Sequence, residues 1–203
     1  MTTETDDRDA RHKARAVKHK EVVDKRIVAA QIDKGLLLVL TGNGKGKSSS
    51  AFGMVARTLG HGRKAAVFQF IKGAMDVGEH AFFASHPDVT WEKCGEGFTW
   101  ETQNRERDIA SARAGWDKAR AALADPDIHL VVLDELTYLV SYRYLSIDEI
   151  LPPILARPAM QHVVITGRAA DGALIEAADT VSVIKDEKHA FRDGVRAQDG
   201  IDR

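Results

Sequence analysis

The chain has very little cysteine, no long apolar run and almost no net charge, and each shortage excludes a class of protein. Cys94 is the single cysteine among 203 residues, which excludes an internal disulfide framework and a cysteine-built zinc site and fits a reducing compartment. No apolar stretch approaches the roughly 20 residues that a membrane-spanning helix needs. The polar, acidic opening "MTTETDDRDA" does not match a signal peptide. We therefore expect a soluble cytoplasmic protein with no membrane partner.

The charge balance argues against a nucleic-acid partner. Charged residues make up 29% of the chain, yet the formal net charge is −1, so the bulk positive field that sequence-independent nucleic-acid binding uses is missing. A RecA-like nucleic-acid motor is accordingly disfavoured. With 44% apolar residues, the chain can bury a sizeable core, and we expect one main domain with a short appendage.

The appendage is the N-terminal segment, residues 1–34. It mixes charges of both signs with few apolar residues and cannot bury enough surface to order itself alone. Near its end, Val23, Ile27 and Ala30 fall at helical spacing, which predicts a partly helical segment with a short apolar stripe. The pattern alone leaves two readings open, a solvated tail and a helix that docks on something.

Residues 35–203 alternate short apolar runs with stretches of helical period. Apolar residues in direct succession are typical of strands covered on both faces of a parallel sheet. The pattern predicts an α/β fold with a doubly wound, mostly parallel sheet of about six strands. The predicted strands are "LLLVL" (36–40), "AAVFQF" (65–70), "VTWEKC" (89–94), "HLVVLD" (129–134), "HVVIT" (162–166) and "TVSVI" (180–184).

A glycine-rich turn, "LTGNGKGKSSSAFG", joins the first strand to the first helix of this domain. Such a turn exposes several backbone N–H groups at the positive end of a helix, where phosphates bind. Gly46, Lys47 and Ser48 match the end of the motif G-x-x-x-x-G-K-[ST]. Thr41 then stands where the first glycine belongs, and the nearest glycine, Gly42, makes the loop one residue short. A phosphate-loop (RecA-like) three-layer sandwich with an altered loop is the prediction.

A second half of a nucleotide site follows the fourth strand. The strand "HLVVLDE" ends in Asp134 and Glu135, the pattern that brings an acid near the loop's Mg²⁺. The alternative is a helix-capping acid pair. Because ligands of such sheets bind beyond the carboxyl ends of the strands, Gln69, Lys72 and Arg168 are further candidates for ligand contact.

Four other residues carry weaker expectations. Arg63, in the turn after the first helix, contacts either phosphate or only solvent. Phe98 and Trp100, two residues apart in a glycine-flanked loop, form either a flat apolar wall for a ligand or an anchor of the loop to the core. For Cys94, the role of a small buried residue is a better interpretation than a redox role.

Several segments together resemble the ATP:corrinoid adenosyltransferases, the enzymes that adenosylate cob(I)yrinic acid a,c-diamide and cob(I)alamin. The resemblance runs from about Val17 to the C-terminus. "GFTWETQN" and "AFRDGVRAQDGID" are its most specific motifs. It also rests on "TGNGKGKSSSAFGMVARTLGHGRKAAVFQFIKG", "VVLDELTYLVSYRYL" and "ITGRAADGALIEAADTVS".

The resemblance implies a reaction in which cobalt(I) of a reduced corrinoid attacks the 5′ carbon of ATP and expels inorganic triphosphate, in adenosylcobalamin biosynthesis or salvage. ATP is held in the opposite sense to most phosphate-loop proteins, so the loop stabilises a leaving group. Since cobalt(I) is itself the nucleophile, no general base is required. The implied partners are a second copy of the chain, in a homodimer, and an electron-donating flavoprotein reductase.

The resemblance also assigns roles to residues. Lys47, Ser48 and Glu135 are the implied catalytic group, with Mg²⁺ or Mn²⁺ held by Ser48 and Glu135 and with Asp134 beside them. Phe98 and Trp100 face the corrin, and residues 1–34 form a lid over it. The implied nucleotide contacts are Thr41, Gly42, Asn43, Gly44, Lys45, Gly46, Lys47, Ser48, Ser49 and Arg63.

Two alternative functions stay open at this point. An ordinary phosphate-loop ATPase or kinase would share Lys47, Ser48 and Asp134 but would release phosphate or a phosphorylated product. A non-catalytic, ATP-gated corrinoid-binding protein would keep the same loops without turnover. Turnover with a reduced corrinoid separates the three readings.

Overall fold

A computed structural model describes residues 3–71, 78–95 and 105–202, and the chain divides into two compact units, Met1–Asp33 and Lys34–Arg203. The first unit contains one helix, α1 (Thr3–Ala29), of 27 residues, which is much longer than the apolar stripe alone predicts. Val23 and Ile27 are four residues apart on it, so they share a face, and their exposed fractions are 37% and 64%.

The second unit is built on a sheet of six parallel strands, which confirms the α/β prediction. The order across the sheet is β3-β2-β4-β5-β1-β6, and every neighbouring pair is parallel. Strands β1 and β4 both lie inside the sheet, so the loops that follow them meet at its carboxyl edge. The strands are β1 (Leu37–Thr41), β2 (Lys64–Gln69), β3 (Val89–Lys93), β4 (Ile128–Asp134), β5 (His162–Thr166) and β6 (Thr180–Val183).

The continuous apolar runs form the inner strands because both faces of the sheet are covered. In β4, Val131, Val132 and Leu133 are fully buried, and Val131 pairs in register with Val163 of β5. Val131 and Leu133 belong to the core on one face of the sheet, whereas Val132 belongs to the core on the other. Successive side chains of one strand therefore hold the two helical layers to the sheet.

Helices pack on the two faces of the sheet and alternate with the strands along the chain, as expected. Two short helices, α5 (Thr137–Ser141) and a 3-10 helix (Ala190–Asp193), were not predicted. The helices are α2 (Lys47–Gly60), α3 (Gly78–Phe83), α4 (Arg105–Ala124), α5 (Thr137–Ser141), α6 (Ile147–Leu155), α7 (Gly172–Ala177) and a short 3-10 helix (Ala190–Asp193). Among the described residues, no helix is both long and apolar enough to cross a membrane.

Helix α4 lies unusually close to the carboxyl end of β3. Ala112, Gly115 and Ala119 form its buried face together with Trp116. A Cβ atom placed on Gly115 would lie 2.3 Å from the Cβ atom of Cys94, so the helix can approach this closely only with glycine there. Cys94 is 6% exposed, as expected of a small buried residue.

Candidate nucleotide site

Two glycines of the turn between β1 and α2 have left-handed backbone conformations. Gly46 caps the N-terminus of α2 with a φ of 113°, in the left-handed region that favours glycine. Gly42 has a φ of 104°, and a Cβ atom there would lie 2.4 Å from the carbonyl oxygen of Ile184. The shortened loop is therefore built around a close approach of the backbone after β6.

Backbone hydrogen bonds hold that approach. The amide of Gly44 donates to the carbonyl of Ile184 at 2.8 Å, and the amide of Ile184 donates to the carbonyl of Thr41 at 2.8 Å. Both bonds fasten the loop to Ile184, which lies 140 positions after Gly44 in the chain. The usual first glycine is replaced by Thr41, which is 7% exposed and accepts a long hydrogen bond, 3.4 Å, from the amide of Ala170.

Lys47 is held within the loop that it follows. Its side chain is buried, with a residue exposure of 8%, and its Nζ atom donates to the carbonyl of Gly44 at 2.8 Å. An ammonium group is a compact point charge with three donors. Its position adds a positive charge to the same small region as the exposed N–H groups at the start of α2.

A cleft of about 540 Å³ opens over this loop. It brings together most of the predicted site residues, from both the β1 and β4 ends of the sheet. Thr41, Gly42 and Asp134 are not among the described residues that line it. The lining consists of Asn43, Gly44, Lys45, Gly46, Lys47, Ser48, Ser49, Gly78, Glu79, Phe82, Phe83, Glu135, Arg168, His189, Gly200, Ile201 and Asp202.

The two acidic residues after β4 occupy different depths. Asp134 is fully buried; its Oδ1 atom accepts from the Thr166 hydroxyl at 2.7 Å and its Oδ2 atom from the Gln69 amide at 3.1 Å. Glu135 lines the cleft. Its φ is 61°, an uncommon conformation for a residue with a side chain, so the chain turns sharply between the two acids. Glu135 faces the cleft, and Asp134 lies behind it.

Arg168, which follows β5, and Glu135 both act electrostatically on Tyr138. Burial, and then the nearby Glu135 carboxylate, raise the pKa of the Tyr138 phenol above its ordinary value, whereas Arg168 acts in the opposite direction. Arg168 and Glu135 also both line the cleft. A basic and an acidic side chain thus face the phosphate-type loop from the carboxyl ends of β5 and β4.

The C-terminal segment covers one side of the loop. The Lys45 ammonium lies 2.5 Å from the Asp202 carboxylate, and this hydrogen bond is the largest contribution that lowers the pKa of Asp202. His189 and Ile201 also line the cleft. In the structure, this segment contacts the phosphate-type loop of its own chain.

Sequence reasoning missed Phe82, an aromatic residue of the cleft. It is 75% exposed, and its ring packs edge to face on Phe83, with ring centroids 5.0 Å apart. Phe83 in turn stacks on Trp91 at 6.0 Å. The adjacent aromatics in "AFF", with one ring buried and one exposed on a short helix, are the signal that could have found it.

The prediction that Arg63 contacts the nucleotide is not supported by its position. A turn that follows a helix and precedes a parallel strand lies at the amino ends of the strands, opposite the cleft. Arg63 lines a groove of about 500 Å³ there, together with His129 and His162. Burial lowers the pKa of both histidines, and nearby cationic or imidazole groups add to the effect.

Phe98 and Trp100, the predicted corrinoid contacts, and Lys72, a candidate ligand contact, lie outside the described residues. Their roles therefore stay predictions.

Two family models match the chain. One, described as ATP:corrinoid adenosyltransferase BtuR/CobO/CobP, matches residues 33–202. The other, described as cob(I)alamin adenosyltransferase N terminal, matches residues 1–27. The matched ranges correspond closely to the two structural units.

Individual relatives match over nearly their whole length. A corrinoid adenosyltransferase of Pseudomonas aeruginosa is 56% identical over 200 residues, covering 98% of both chains. The corrinoid adenosyltransferase CobA of Salmonella typhimurium is 48% identical over 96% of this chain and 98% of its own length. A corrinoid adenosyltransferase of Sinorhizobium sp is 44% identical over 96% of this chain and 92% of its own length.

Proposed function

The chain belongs to the ATP:corrinoid adenosyltransferase family, and on that premise we propose how it works. It transfers the 5′-deoxyadenosyl group of ATP to cobalt(I) of a corrinoid and releases inorganic triphosphate. The corrinoid is cob(I)yrinic acid a,c-diamide, cobinamide or cob(I)alamin, in adenosylcobalamin biosynthesis or salvage. The observation that carries the proposal is the cleft that joins the shortened loop to Glu135 and Arg168.

The proposed role of the loop is to stabilise the departing triphosphate. The electron pair of cobalt(I) forms the bond to C5′ while the C5′–O bond breaks, and its electrons leave on the triphosphate. Before the reaction, the Lys47 ammonium is held by its bond to the Gly44 carbonyl, and the loop that leads into α2 is held by the backbone bonds between Gly44, Thr41 and Ile184. Groups that are already oriented toward developing charge lower the barrier without reorganising.

Ser48 and Glu135 are the residues that would hold Mg²⁺ or Mn²⁺. Both line the cleft, and a hydroxyl and a carboxylate are the oxygen ligands that these ions prefer. No cluster of three or more His, Cys, Asp or Glu side chains suited to a metal occurs in the described part of the chain, which fits an ion held by few protein ligands and mainly by substrate phosphates. When bound, the ion would neutralise charge on the triphosphate.

The burial of Asp134 supports a direct role for Glu135 rather than for its neighbour. Asp134 already accepts hydrogen bonds on both carboxylate oxygens and is fully buried, so we assign it to orienting the site from behind. Arg168 is proposed to contact the triphosphate, since it lines the same cleft and a guanidinium suits phosphate oxygens.

The corrinoid is proposed to meet Phe98 and Trp100. An apolar wall there would displace the lower axial ligand of cobalt and make cobalt(II) easier to reduce. Residues 1–34 would close over the corrinoid and exclude water from reactive cobalt(I). A homodimer, and a flavoprotein reductase that supplies the electron, complete the proposal.

An anaerobic turnover assay tests the proposed function. The protein is mixed with ATP, Mg²⁺ and chemically reduced cob(I)alamin; the cobalt–carbon product is followed optically and inorganic triphosphate is assayed in the same samples. We expect both products in equal amounts. Tight binding of both substrates without turnover would favour a carrier, and release of orthophosphate without corrinoid would indicate an ordinary ATPase.

A further inference from the structure

A chain of buried and partly buried hydrogen bonds runs from Trp91, within β3, to the carboxyl ends of β2, β4 and β5. Trp91 Nε1 donates to Gln69 Oε1 at 3.0 Å, and Gln69 Nε2 donates to Asp134 Oδ2 at 3.1 Å. From the other side, Thr166 Oγ1 donates to Asp134 Oδ1 at 2.7 Å. The amide of Glu135 donates to Thr166 Oγ1 at 2.9 Å. The chain of bonds thus ends at the residue whose side chain lines the cleft.

In each hydrogen bond of this chain, the donor and the acceptor are fixed by the chemistry of the side chains. An indole N–H can only donate, so the Gln69 oxygen faces Trp91 and its NH₂ group is left for Asp134. A threonine hydroxyl has one proton; because its oxygen accepts from the Glu135 amide, that proton is available to Asp134. Gln69 is 1% exposed, and Asp134 and Thr166 are fully buried, so water does not compete for the two hydrogen bonds that Asp134 accepts from Gln69 and Thr166.

The Thr166 hydroxyl also acts at a point where the backbone takes an uncommon conformation. Glu135 has a φ of 61°, and the amide that Thr166 accepts from belongs to this residue. The direction of the Glu135 side chain depends on that sharp turn after β4. A hydroxyl that holds the turned amide and the preceding carboxylate together fixes both acidic residues relative to β5.

We infer that Thr166 is a positioning residue of the metal–nucleotide site, acting through Glu135 and Asp134, and that Gln69 supports the same arrangement from β2. The inference rests on the proposed function, in which Glu135 holds the metal ion of the metal–ATP complex. Thr166 touches neither substrate nor metal in this account. Its hydroxyl, rather than its bulk, is the part that matters.

The test compares ATP affinity with and without Mg²⁺, measured by calorimetry on the full chain with no corrinoid present. The reference is the factor by which Mg²⁺ tightens ATP binding in the wild type, that is, the ratio of ATP affinities with and without Mg²⁺. Thr166→Val, which keeps the shape and removes the hydroxyl, should reduce that factor about tenfold, the scale found when a partner behind a metal ligand is lost. ATP affinity in EDTA should be nearly unchanged.

Thr166→Ser is the matched control, since it keeps the hydroxyl and removes the methyl group; it should retain the wild-type factor. If Thr166→Val does not fold, Gln69→Met carries the test from the other side of Asp134 and should reduce the factor in the same way. An unchanged factor in the valine variant, equal losses in valine and serine variants, or equal weakening with Mg²⁺ and EDTA would overturn the inference.

The outcome for the proposed function is separate. If Mg²⁺ does not tighten ATP binding in the wild type, or if Glu135→Ala leaves the factor intact, the assignment of Glu135 fails and the inference fails with it. If Glu135→Ala abolishes the factor and Thr166→Val does not change it, only the role of Thr166 is wrong. Adenosyl transfer by the wild type is judged independently, in the turnover assay.

Discussion

At the scale of single residues, Lys47 places a buried positive charge beside the phosphate-type loop. Its Nζ atom donates to the Gly44 carbonyl. If the ammonium were removed, a water molecule could donate to this carbonyl instead. We therefore predict that Lys47→Met, which keeps the apolar stem, leaves the fold intact and lowers kcat for adenosyl transfer by roughly 100-fold or more, the scale found for losing one donor to a developing anion.

Lys64 provides the control for that substitution. It is an exposed lysine at the amino end of β2, 3.8 Å from Asp127, and Lys64→Met should leave kcat unchanged. Circular dichroism and thermal melting would check the fold of both variants. Wild-type turnover by the Lys47 variant would contradict the placement of its charge at the triphosphate.

Cys94 is predicted to be inert. Burial, and then the Glu92 carboxylate, raise the pKa of its thiol from 9.0 to about 12. At pH 8 the thiolate fraction falls roughly 1,000-fold relative to an ordinary thiol, and the thiolate is the reactive form. The rate of labelling by a disulfide reagent should therefore be far slower in the native protein than in denaturant. Similar rates in both would show that Cys94 is accessible and ionisable.

The strand pattern located the acidic pair, but only the resemblance to a known family favoured Glu135 over Asp134 as the metal ligand. The strand "HLVVLDE" gives the position of Asp134 and Glu135, whereas their depths depend on Thr166 and Gln69, which lie 32 and 65 residues from Asp134. Contacts over such separations are set by strand order, which no local pattern encodes. Arg63 could have been assigned correctly, because its place before β2 already implies the amino edge of the sheet.

At the scale of elements, replacing two helical glycines by alanine is expected to change the free energy of unfolding in opposite directions. Gly115 in α4 faces Cys94, and an added Cβ atom would lie 2.3 Å from the Cys94 Cβ atom. Gly53 in α2 has no heavy atom within 4 Å of its added Cβ atom. Gly115→Ala should destabilise the protein by about 1–3 kcal/mol through overpacking, whereas Gly53→Ala should stabilise it by about 0.5–1 kcal/mol.

Urea unfolding monitored by circular dichroism measures both free energies. The two variants make the same chemical change in the middle of a helix, so the difference between them reports the close approach of α4 to β3. Stabilisation by Gly115→Ala would mean that this helix is free to move away from Cys94.

The six strands and the long helices of the second unit were predictable because each is a run or a period that one segment carries by itself. Helix α5 has five residues, too few for a period. The position of the C-terminal segment was only partly predictable, since its backbone bonds to the loop join Gly44 and Ile184 and depend on β6 pairing beside β1. The position of an element with few apolar residues is determined by contacts between residues that are distant in sequence.

At the scale of the whole molecule, the N-terminal unit is predicted to serve the corrinoid rather than the nucleotide. Its helix exposes Ile27 and Val28, at 64% and 70%, and charged residues dominate the rest. Deleting residues 1–32 should raise KM for the corrinoid and lower turnover, while ATP affinity stays close to that of the full chain. Steady-state kinetics and calorimetry on the two proteins provide the comparison.

The double variant Ile27→Ser/Val28→Ser tests the same role without shortening the chain. It keeps the length and charge of the helix and removes part of its apolar surface, so it should reproduce the corrinoid defect in weaker form. Equal loss of corrinoid use and ATP binding, or no loss of either, would contradict a lid function for residues 1–34.

The central claim is that the shortened loop holds ATP so that the whole triphosphate leaves from C5′. The most direct measurement uses ATP labelled with ¹⁸O at the oxygen that bridges C5′ and the α-phosphorus, turned over anaerobically with cob(I)alamin and analysed by mass spectrometry. The account predicts that the label appears in intact inorganic triphosphate, since the C5′–O bond breaks. Label retained on a nucleoside or nucleotide product would mean that a P–O bond breaks instead, and would contradict it.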